Sequence, residues 1–328
     1  MEKLVAQFPK QIADALEIAE NTIYSSISNK SFDQVVVCGM GGSGIGGKIT
    51  EKLFLNEIKI PVVLVQNYDI PAFVSEKTLF IASSYSGSTE ETLAAVGEAK
   101  KRKSTIIGIC SGGELMQFCK KNNYDFVKIP GGNPPRSMLA FSLIQLIDIF
   151  TKAGFISKTS IQSVGKARNF LSDELMQIKK QAKVLAQHLY KKQGVLYGNA
   201  ELEGIIIRAR QQFNENSKQL VYHHIIPEMN HNELVGWEGG NDQFAAVFFE
   251  SQFTSKRNIL RFQLSKEIIE PKTSNILFIK GVGKDNILEM FYLVHLVDWA
   301  SIYLADLNKK DTIDIKSIVF LKSELEKR

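Results

Sequence analysis

The sequence contains two segments in which glycine, serine and threonine are concentrated, and each directly follows an apolar run. The first reads GMGGSGIGG over residues 39–47, and the second reads SSYSGSTEET over residues 83–92. Glycines let backbone N–H groups approach a ligand closely, and the N-terminus of a following helix favours an anion. Hydroxyls and free amides together suit a phosphate monoester, whose oxygens accept several charge-assisted hydrogen bonds. The candidate phosphate contacts are Gly42, Ser43, Ser84, Ser86, Ser88 and Thr89.

The first segment also fits a dinucleotide site, because Gly39, Gly41 and Gly44 satisfy the pattern GxGxxG. A dinucleotide site needs an acidic residue at the end of the second strand, where it holds the ribose hydroxyls. This chain has Gln66 and Asn67 at that place. The sequence therefore favours a phosphate site over a nicotinamide cofactor site.

The second segment also has the composition of a helix start. Ser88 or Thr89 could cap the following helix, with Glu91 completing a capping box. Capping and phosphate binding use the same end of the helix and are compatible. We expect both to occur here.

Four further side chains are candidates for acid–base or electrostatic work. Glu215 lies in RARQQFNENSK, where a helical pattern ends among polar residues, and His231 lies in the loop-like PEMNHNELVGW. Arg136 follows two prolines in GGNPPRSM, which stiffen the chain before the guanidinium. Lys322 lies near the C-terminus in SIVFLKSELEKR.

Other residues compete for some of these positions. His223 and His224 stand at the start of an apolar run, where we expect them to pack or to bond locally. Glu233 is an alternative carboxylate close to His231, and Glu238 is another, and we assign both to structure.

Elements that hold these residues are predicted from short apolar runs that alternate with helical patterns. Nearly continuous apolar runs are typical of strands buried on both faces, and strand–helix alternation indicates parallel sheets. The fold class is therefore α/β, with a first domain over residues 1–155 and a second over residues 156–328. The expected strands are 32–39, 60–66, 78–86, 104–110 and 125–130 in the first half, and 194–199, 223–233, 243–251 and 275–280 in the second.

The composition excludes several classes of protein. The chain has 328 residues, of which 44% are hydrophobic and 23% charged, so it is neither disordered nor fibrous. Forty basic and 35 acidic residues leave +5 without a clustered basic stripe, so no nucleic-acid partner is expected. Three cysteines without ligand spacing predict neither a disulfide framework nor a metal site, and no cofactor is expected.

Membrane and secretion signals are also not expected. The most apolar long stretch, residues 290–307, contains His295, Asp298 and Asp306, which argues against a membrane span. The first twenty residues carry charges inside their apolar pattern and predict an amphipathic helix rather than a signal peptide. We expect a cytoplasmic protein.

The two glycine–serine segments resemble those of the sugar isomerase (SIS) domain. The later motifs FNENSK and IPEMNHNELVGWE are similar to the bifunctional phosphoglucose/phosphomannose isomerases of that superfamily. The resemblance implies two SIS domains, a homodimer, and isomerisation of glucose 6-phosphate, fructose 6-phosphate and mannose 6-phosphate through a cis-enediol(ate). A non-catalytic sugar-phosphate sensor built on SIS domains is the alternative.

The same resemblance implies a role for each candidate side chain. Glu215 matches the family's catalytic glutamate, and Arg136 matches the arginine that stabilises the enediolate. His231 matches the ring-opening histidine, which is delivered from the neighbouring subunit. Lys322 matches the lysine that assists ring opening, with Lys316 as its competitor.

The C-terminal segment departs from the family pattern. The chain reads DTIDIKSI where the family often has a DPTPV-like stretch. In the family, a small hydroxyl residue here makes room for the mannose epimer. Thr312 is the candidate for that position.

The second domain contains no equivalent of the serine segment at the matching place. GNAELEG, at 198–204, lacks serines, so we expect no second phosphate loop there.

Overall fold

A computed structural model describes residues 1–325 and 327, and its first half contains a five-stranded parallel sheet. The strand order is β2-β1-β3-β4-β5. The central strand β3 and its neighbour β4 are buried along their whole length, as their apolar sequences predict. The strands are β1 (Gln34–Cys38), β2 (Val62–Val65), β3 (Thr78–Ser83), β4 (Thr105–Cys110) and β5 (Asp125–Lys128).

Six helices belong to this half of the chain. The helix that follows β1 packs on the helix that follows the first strand of the second sheet. The last helix of this half is buried along most of its length. The helices are α1 (Glu2–Ala6), α2 (Phe8–Asn21), α3 (Gly41–Leu53), α4 (Glu90–Lys101), α5 (Gly113–Asn122) and α6 (Leu139–Lys152).

The second half begins with two connecting helices and contains a four-stranded parallel sheet. Its strand order is β7-β6-β8-β9. Two parallel sheets with helices on their faces confirm the predicted fold class. The elements are α7 (Lys158–Asp173), α8 (Leu175–Leu189), β6 (Gln193–Asn199), α9 (Glu203–Ser217), β7 (Val221–Ile226), α10 (Glu233–Gly236), β8 (Phe244–Glu250), α11 (Lys256–Ile269), β9 (Ile276–Lys280), α12 (Asn286–Leu307) and α13 (Lys316–Leu325).

One hydrophobic core joins the two halves. It includes side chains from the inner faces of both sheets and from α2, α6, α8, α9 and α12. Helices α3 and α9 cross so closely that a Cβ on Gly204 would lie 2.8 Å from the Cα of Ile49. Helix α12 is long and apolar enough to cross a membrane, but 94% of its most apolar window is buried inside the protein.

Both sheets have the same switch in the direction of their connections. In the first sheet, β1 connects to β2 on one side, and the chain then returns to place β3 on the other side. In the second sheet, β6 connects to β7 on one side, and β8 lies on the other. Crevices for ligands form at the carboxyl ends of strands at such switch points. One lies between β1 and β3, and the other lies between β6 and β8.

The predicted strand over residues 223–233 is wrong in its second half. The strand runs only from Val221 to Ile226. Pro227 follows, and because proline has no N–H it cannot continue the ladder of hydrogen bonds. The chain then forms a single 3-10 turn, Glu228–His231, which leads into α10.

Candidate active site

The serine loop after β3 lies at the first switch point and is held by its own hydrogen bonds. The Ser84 and Thr89 hydroxyl oxygens are 2.8 Å apart, and the Ser84 hydroxyl also accepts from the Gly87 N–H at 3.1 Å. Ser84 is buried, whereas Ser86 and Ser88 are exposed. The buried hydroxyl shapes the loop, and the exposed hydroxyls remain open to a ligand.

Gly87 holds this loop against the loop that follows β4. It has a φ of +75°, which glycine adopts readily, and a Cβ there would lie 1.9 Å from the carbonyl oxygen of Gly112. Leu115 N–H also donates to the Gly87 carbonyl at 2.8 Å. The loop is therefore fixed at its centre by a contact that only glycine allows.

The glycine-rich segment after β1 forms the first turns of α3 and contacts the serine loop. The Ser43 hydroxyl accepts a hydrogen bond from the Tyr85 N–H at 2.9 Å. A Cβ on Gly42 would lie 3.3 Å from the backbone nitrogen of Arg136. This helix N-terminus therefore lies between the serine loop and the arginine turn.

The predicted helix capping is wrong. Helix α4 begins at Glu90 with Thr89 as its N-cap residue, but no side chain makes a capping hydrogen bond. The Thr89 hydroxyl is engaged with Ser84 instead. Glu90 and Glu91 in the first turn still complement the helix dipole.

Arg136 is buried in a 3-10 turn between β5 and α6, and each guanidinium nitrogen has an oxygen partner. Nε donates to Asn216 Oδ1 at 2.7 Å, Nη1 donates to Glu215 Oε1 at 2.7 Å, and Nη2 donates to the Thr312 carbonyl at 2.5 Å. Burial lowers the pKa of Arg136, and the Glu215 carboxylate opposes that shift. The guanidinium is therefore fixed in position at the junction of the two halves.

A buried ion pair between Arg208 and Asp298 supports the backbone of Arg136. Arg208 makes two hydrogen bonds to the Asp298 carboxylate, at 3.0 and 2.7 Å, and donates to the Arg136 carbonyl at 3.0 Å. Gln212 adds a third hydrogen bond to Asp298 at 2.8 Å. Burial raises the pKa of Asp298, and Arg208 and Gln212 oppose that shift.

Glu215 lies in the last turn of α9, and 31% of its side chain is exposed. One carboxylate oxygen is bound to Arg136, while the other accepts no hydrogen bond from residues 1–325. The neighbouring Asn216 is fixed by a hydrogen bond to the Ser301 hydroxyl at 2.9 Å. The carboxylate therefore has one anchored oxygen and one that can accept a proton.

The two C-terminal lysines reach different parts of this cleft. Lys322 lines a groove together with Ser86, Ser88 and Thr89. Lys316 lines the groove beside Glu215 and lies 3.3 Å from the Asp314 carboxylate. Helix α13 therefore carries Lys322 to the predicted phosphate loop and Lys316 to the predicted base.

His231 does not join the other candidates within one chain. Glu215 lies at the end of α9, which leads to the amino end of β7, whereas His231 follows the carboxyl end of that strand. Six residues of strand span ~20 Å, which no side chain bridges. The His231 side chain is exposed.

His223 and His224 in β7 were both predicted to pack or to bond locally, and His224 makes such a local bond. His224 Nδ1 lies 2.8 Å from Glu233 Oε2, and the Tyr197 hydroxyl donates to the other oxygen of Glu233 at 2.5 Å. Burial lowers the pKa of His223 to about 4, and Arg210 adds to that shift. Glu233 thus anchors the segment that carries His231.

Sequence reasoning missed the residues that support Arg136. Asn216 is part of the motif around Glu215, but its contact with Arg136 joins residues 80 positions apart. The sequence did contain one sign of the ion pair, because Asp298 is an acidic residue inside the most apolar helix. Such a residue in a buried helix needs a partner of opposite charge.

Comparisons with known proteins place the chain among sugar-phosphate enzymes. Residues 27–122 match the SIS domain, and residues 178–325 match the bacterial phospho-glucose isomerase C-terminal SIS domain. The bifunctional phosphoglucose/phosphomannose isomerase of Caldicellulosiruptor bescii is 37% identical over 98% of this chain and 97% of its own. The enzyme of the same name from Thermoplasma volcanium is 36% identical over 90% of this chain and 92% of its own.

A solved structure with low identity shares the fold. It is the C-terminal domain of glucosamine-fructose-6-phosphate aminotransferase from Francisella tularensis, at 12% identity and a TM-score of 0.76. The alignment covers 95% of this chain and 96% of that one. The arrangement of two parallel sheets is therefore common to proteins whose sequences have diverged widely.

Proposed function

The chain belongs to the bifunctional phosphoglucose/phosphomannose isomerase family, and from that premise we propose how its residues carry out the reaction. It interconverts glucose 6-phosphate and fructose 6-phosphate and also accepts mannose 6-phosphate. The observation that carries the proposal is one continuous set of contacts, in which Gly42 touches the Arg136 turn and Arg136 binds Glu215. A phosphate loop, a cation and a carboxylate therefore line one cleft.

Glu215 is the base that moves a proton between C1 and C2 of the open-chain sugar. Its Oε1 is held by Arg136 at 2.7 Å, which leaves Oε2 to take the proton and return it to the neighbouring carbon. A positioned general base of this kind contributes about 10²–10⁴-fold in rate.

Arg136 stabilises the negative charge that develops on the enediolate oxygens. Its partners Asn216 and the Thr312 carbonyl fix the guanidinium plane, so little reorganisation is needed as the charge forms. Thr312 contributes its backbone to this arrangement, while its side chain remains the candidate for admitting the mannose epimer.

The phosphate binds between the two glycine–serine loops. Ser86 and Ser88 are exposed at the groove, and Ser43, Ser84 and Thr89 hold the loop in shape. Lys322 lines the same groove and supplies a positive charge. Charge-assisted hydrogen bonds of about 1.5–3 kcal/mol each account for most of the substrate affinity.

His231 opens the sugar ring in the site of a second subunit. It lies at the opposite edge of the second sheet from Glu215 of its own chain, and it is exposed. Helix α13 gives a second reason for a homodimer, because Val319, Phe320 and Leu321 are each more than half exposed. A second copy of the chain would cover these apolar residues and deliver His231.

A coupled assay with glucose 6-phosphate and mannose 6-phosphate tests the proposal on the purified chain. We expect fructose 6-phosphate to form from both sugars, with no metal or nucleotide beyond what the coupling enzymes use. The alternative, a sensor that binds sugar phosphates without turnover, predicts saturable binding of fructose 6-phosphate and no product. That outcome would overturn the proposal.

A further inference from the structure

A second cavity lies at the carboxyl edge of the second sheet, away from the site described above. Its enclosed part has a volume of about 110 Å³, and the space from there out to the open mouth is about 680 Å³. Asn199 lines it from the last position of β6, Ser251 directly after β8, and Glu289 from the first turn of α12. Lys52 lines it from the last turn of α3, and Asn56 from the turn that follows.

This cavity corresponds in topology to the active site. The active site lies at the switch point between β1 and β3 and is completed by the last turn of α9 from the other half. The second cavity lies at the switch point between β6 and β8 and is completed by the last turn of α3. Helices α3 and α9 each follow the first strand of their own sheet and pack against each other. Each therefore reaches the crevice of the opposite sheet.

The cavity contains buried polar groups that are held in place. Asn199 is only 1% exposed, and its Oδ1 has no hydrogen-bond partner in the described part of the chain. Its Nδ2 donates to Glu201 Oε2 at 2.6 Å. Glu289 is 2% exposed and accepts from the Ser251 hydroxyl at 2.5 Å and from the Gln252 N–H at 2.9 Å. An unpaired buried acceptor costs about 1–3 kcal/mol unless a ligand or water donates to it.

The charges around the cavity disfavour a phosphate. The loop after β6 has no serine between Gly198 and Gly204, and Glu201 and Glu289 place carboxylates at the wall. The Lys52 ammonium is engaged by Glu51 at 3.3 Å and by Glu203 at 3.0 Å. The cavity thus offers acceptors in Asn199 Oδ1 and the carboxylates, which pair with hydroxyl donors.

We propose that this cavity, lined by Asn199, Ser251 and Glu289, is a second binding site for a small uncharged polyhydroxy compound, such as an unphosphorylated hexose. The ligand donates hydroxyl hydrogens to the Asn199 carbonyl oxygen and to the carboxylates. The site is separate from the isomerase cleft, and the inference does not rest on the proposed reaction.

Saturation-transfer NMR on the intact protein, with D-glucose and D-mannose as probes, tests the site. An equilibrium mixture of hexose 6-phosphates at saturating concentration occupies the first cleft during the measurement. We expect saturable transfer to at least one probe, and at least tenfold weaker binding in Asn199→Leu. Asn56→Trp tests the same point from the mouth of the cavity. Because Asn56 is exposed, we expect this replacement to leave the fold intact. We expect Asn56→Trp to block the probe, while isomerase activity stays within about twofold of wild type because Asn56 lies outside that cleft.

The control is Asn241→Leu, which changes an exposed asparagine outside the cavity and should leave probe binding unchanged. Loss of probe binding in the presence of hexose 6-phosphates would place the probe in the first cleft and overturn the inference. Unchanged binding in Asn56→Trp, or no saturable transfer in the wild-type protein, would overturn it as well.

Discussion

Arg136 connects the two halves of the molecule through single hydrogen bonds. Its partners Glu215 and Asn216 come from α9, the Thr312 carbonyl comes from the segment before α13, and its own turn follows β5. A guanidinium suits this place because its nitrogens lie in one plane and point in fixed directions. A lysine ammonium offers a point charge without that geometry.

Arg136→Lys is therefore expected to lower kcat by about 10²–10³-fold, as removal of a fixed electrostatic donor does in other enzymes. KM for fructose 6-phosphate should change less, because the proposed phosphate contacts lie in the serine loops. Steady-state kinetics measure both parameters. A kcat within about threefold of wild type would contradict the role assigned to Arg136, since it would show that geometry matters little there.

Asp298 neutralises the buried charge of Arg208, which in turn holds the Arg136 carbonyl. Asp298→Asn keeps the shape but leaves Arg208 without a counter-charge, so we expect the free energy of unfolding to fall by about 3–5 kcal/mol. Urea denaturation measures this change. Asp306→Asn is the matched control in the same helix, because Asp306 is exposed and should change stability by less than about 0.5 kcal/mol. Equal effects of the two substitutions would argue against a buried pair.

At the scale of elements, the turns that follow β1, β3 and β5 meet at one edge of the first sheet. Two glycines make close contacts there, because Gly42 touches the arginine turn and Gly87 touches the loop after β4. A Cβ would clash at Gly87, at 1.9 Å from the Gly112 oxygen, and would be tight at Gly42, at 3.3 Å from the backbone nitrogen of Arg136. The composition of these loops therefore reflects packing as well as ligand binding.

Gly87→Ala should distort the serine loop, because the added Cβ would lie 1.9 Å from the Gly112 oxygen at a positive φ. We expect kcat/KM to fall by about 10–100-fold, as the loss of one or two phosphate hydrogen bonds would produce. Gly97→Ala is the control in α4, where a Cβ would meet nothing within 4 Å. It should raise stability by about 0.5–1 kcal/mol with unchanged kinetics. Similar losses of activity in both variants would show that the loop geometry is not the cause.

Sequence patterns predicted the regular elements of this chain better than the contacts between them. The apolar runs located the strands, and the glycine–serine segments located the edge at which the turns meet. The cap at Thr89 was mispredicted because its hydroxyl bonds to Ser84 instead of the helix. The strand predicted over residues 223–233 was too long, because it was read from apolar residues alone. That pattern takes no account of Pro227, which has no N–H to continue the sheet.

Contacts between elements that are distant in the sequence could not be predicted from it. The pairing of Arg208 with Asp298 joins residues 90 positions apart, and the crossing of α3 with α9 creates the second cavity. Local propensity carries no information about either contact, because both depend on how distant elements pack. The division of the chain after residue 155 stays a prediction, since α7 packs against α2, α6 and α12 alike.

The proposed dimer accounts for the positions of Glu215 and His231. Within one chain they lie at opposite ends of β7, and under the proposal a complete site combines Glu215 of one subunit with His231 of the other. Glu215→Gln and His231→Ala should each be nearly inactive alone. Refolding them together in equal amounts should restore about a quarter of wild-type activity, because half of the dimers are mixed and each has one intact site.

The control for this complementation mixes Glu215→Gln with Arg136→Lys. Both residues belong to the same site of one chain, so the mixture should stay as inactive as its components. A mixture of Glu215→Gln and His231→Ala that gains no activity would contradict the shared site.

Hydrogen exchange with solvent at the reacting carbons of fructose 6-phosphate tests the central claim most directly, namely that Glu215 moves the proton. In D₂O, the wild-type enzyme should incorporate deuterium into the sugar at C1 or C2, as NMR or mass spectrometry detects. Glu215→Gln should bind fructose 6-phosphate normally and lose nearly all of this exchange, because an amide cannot accept the proton. Undiminished exchange in a variant that still binds the sugar would show that another group is the base.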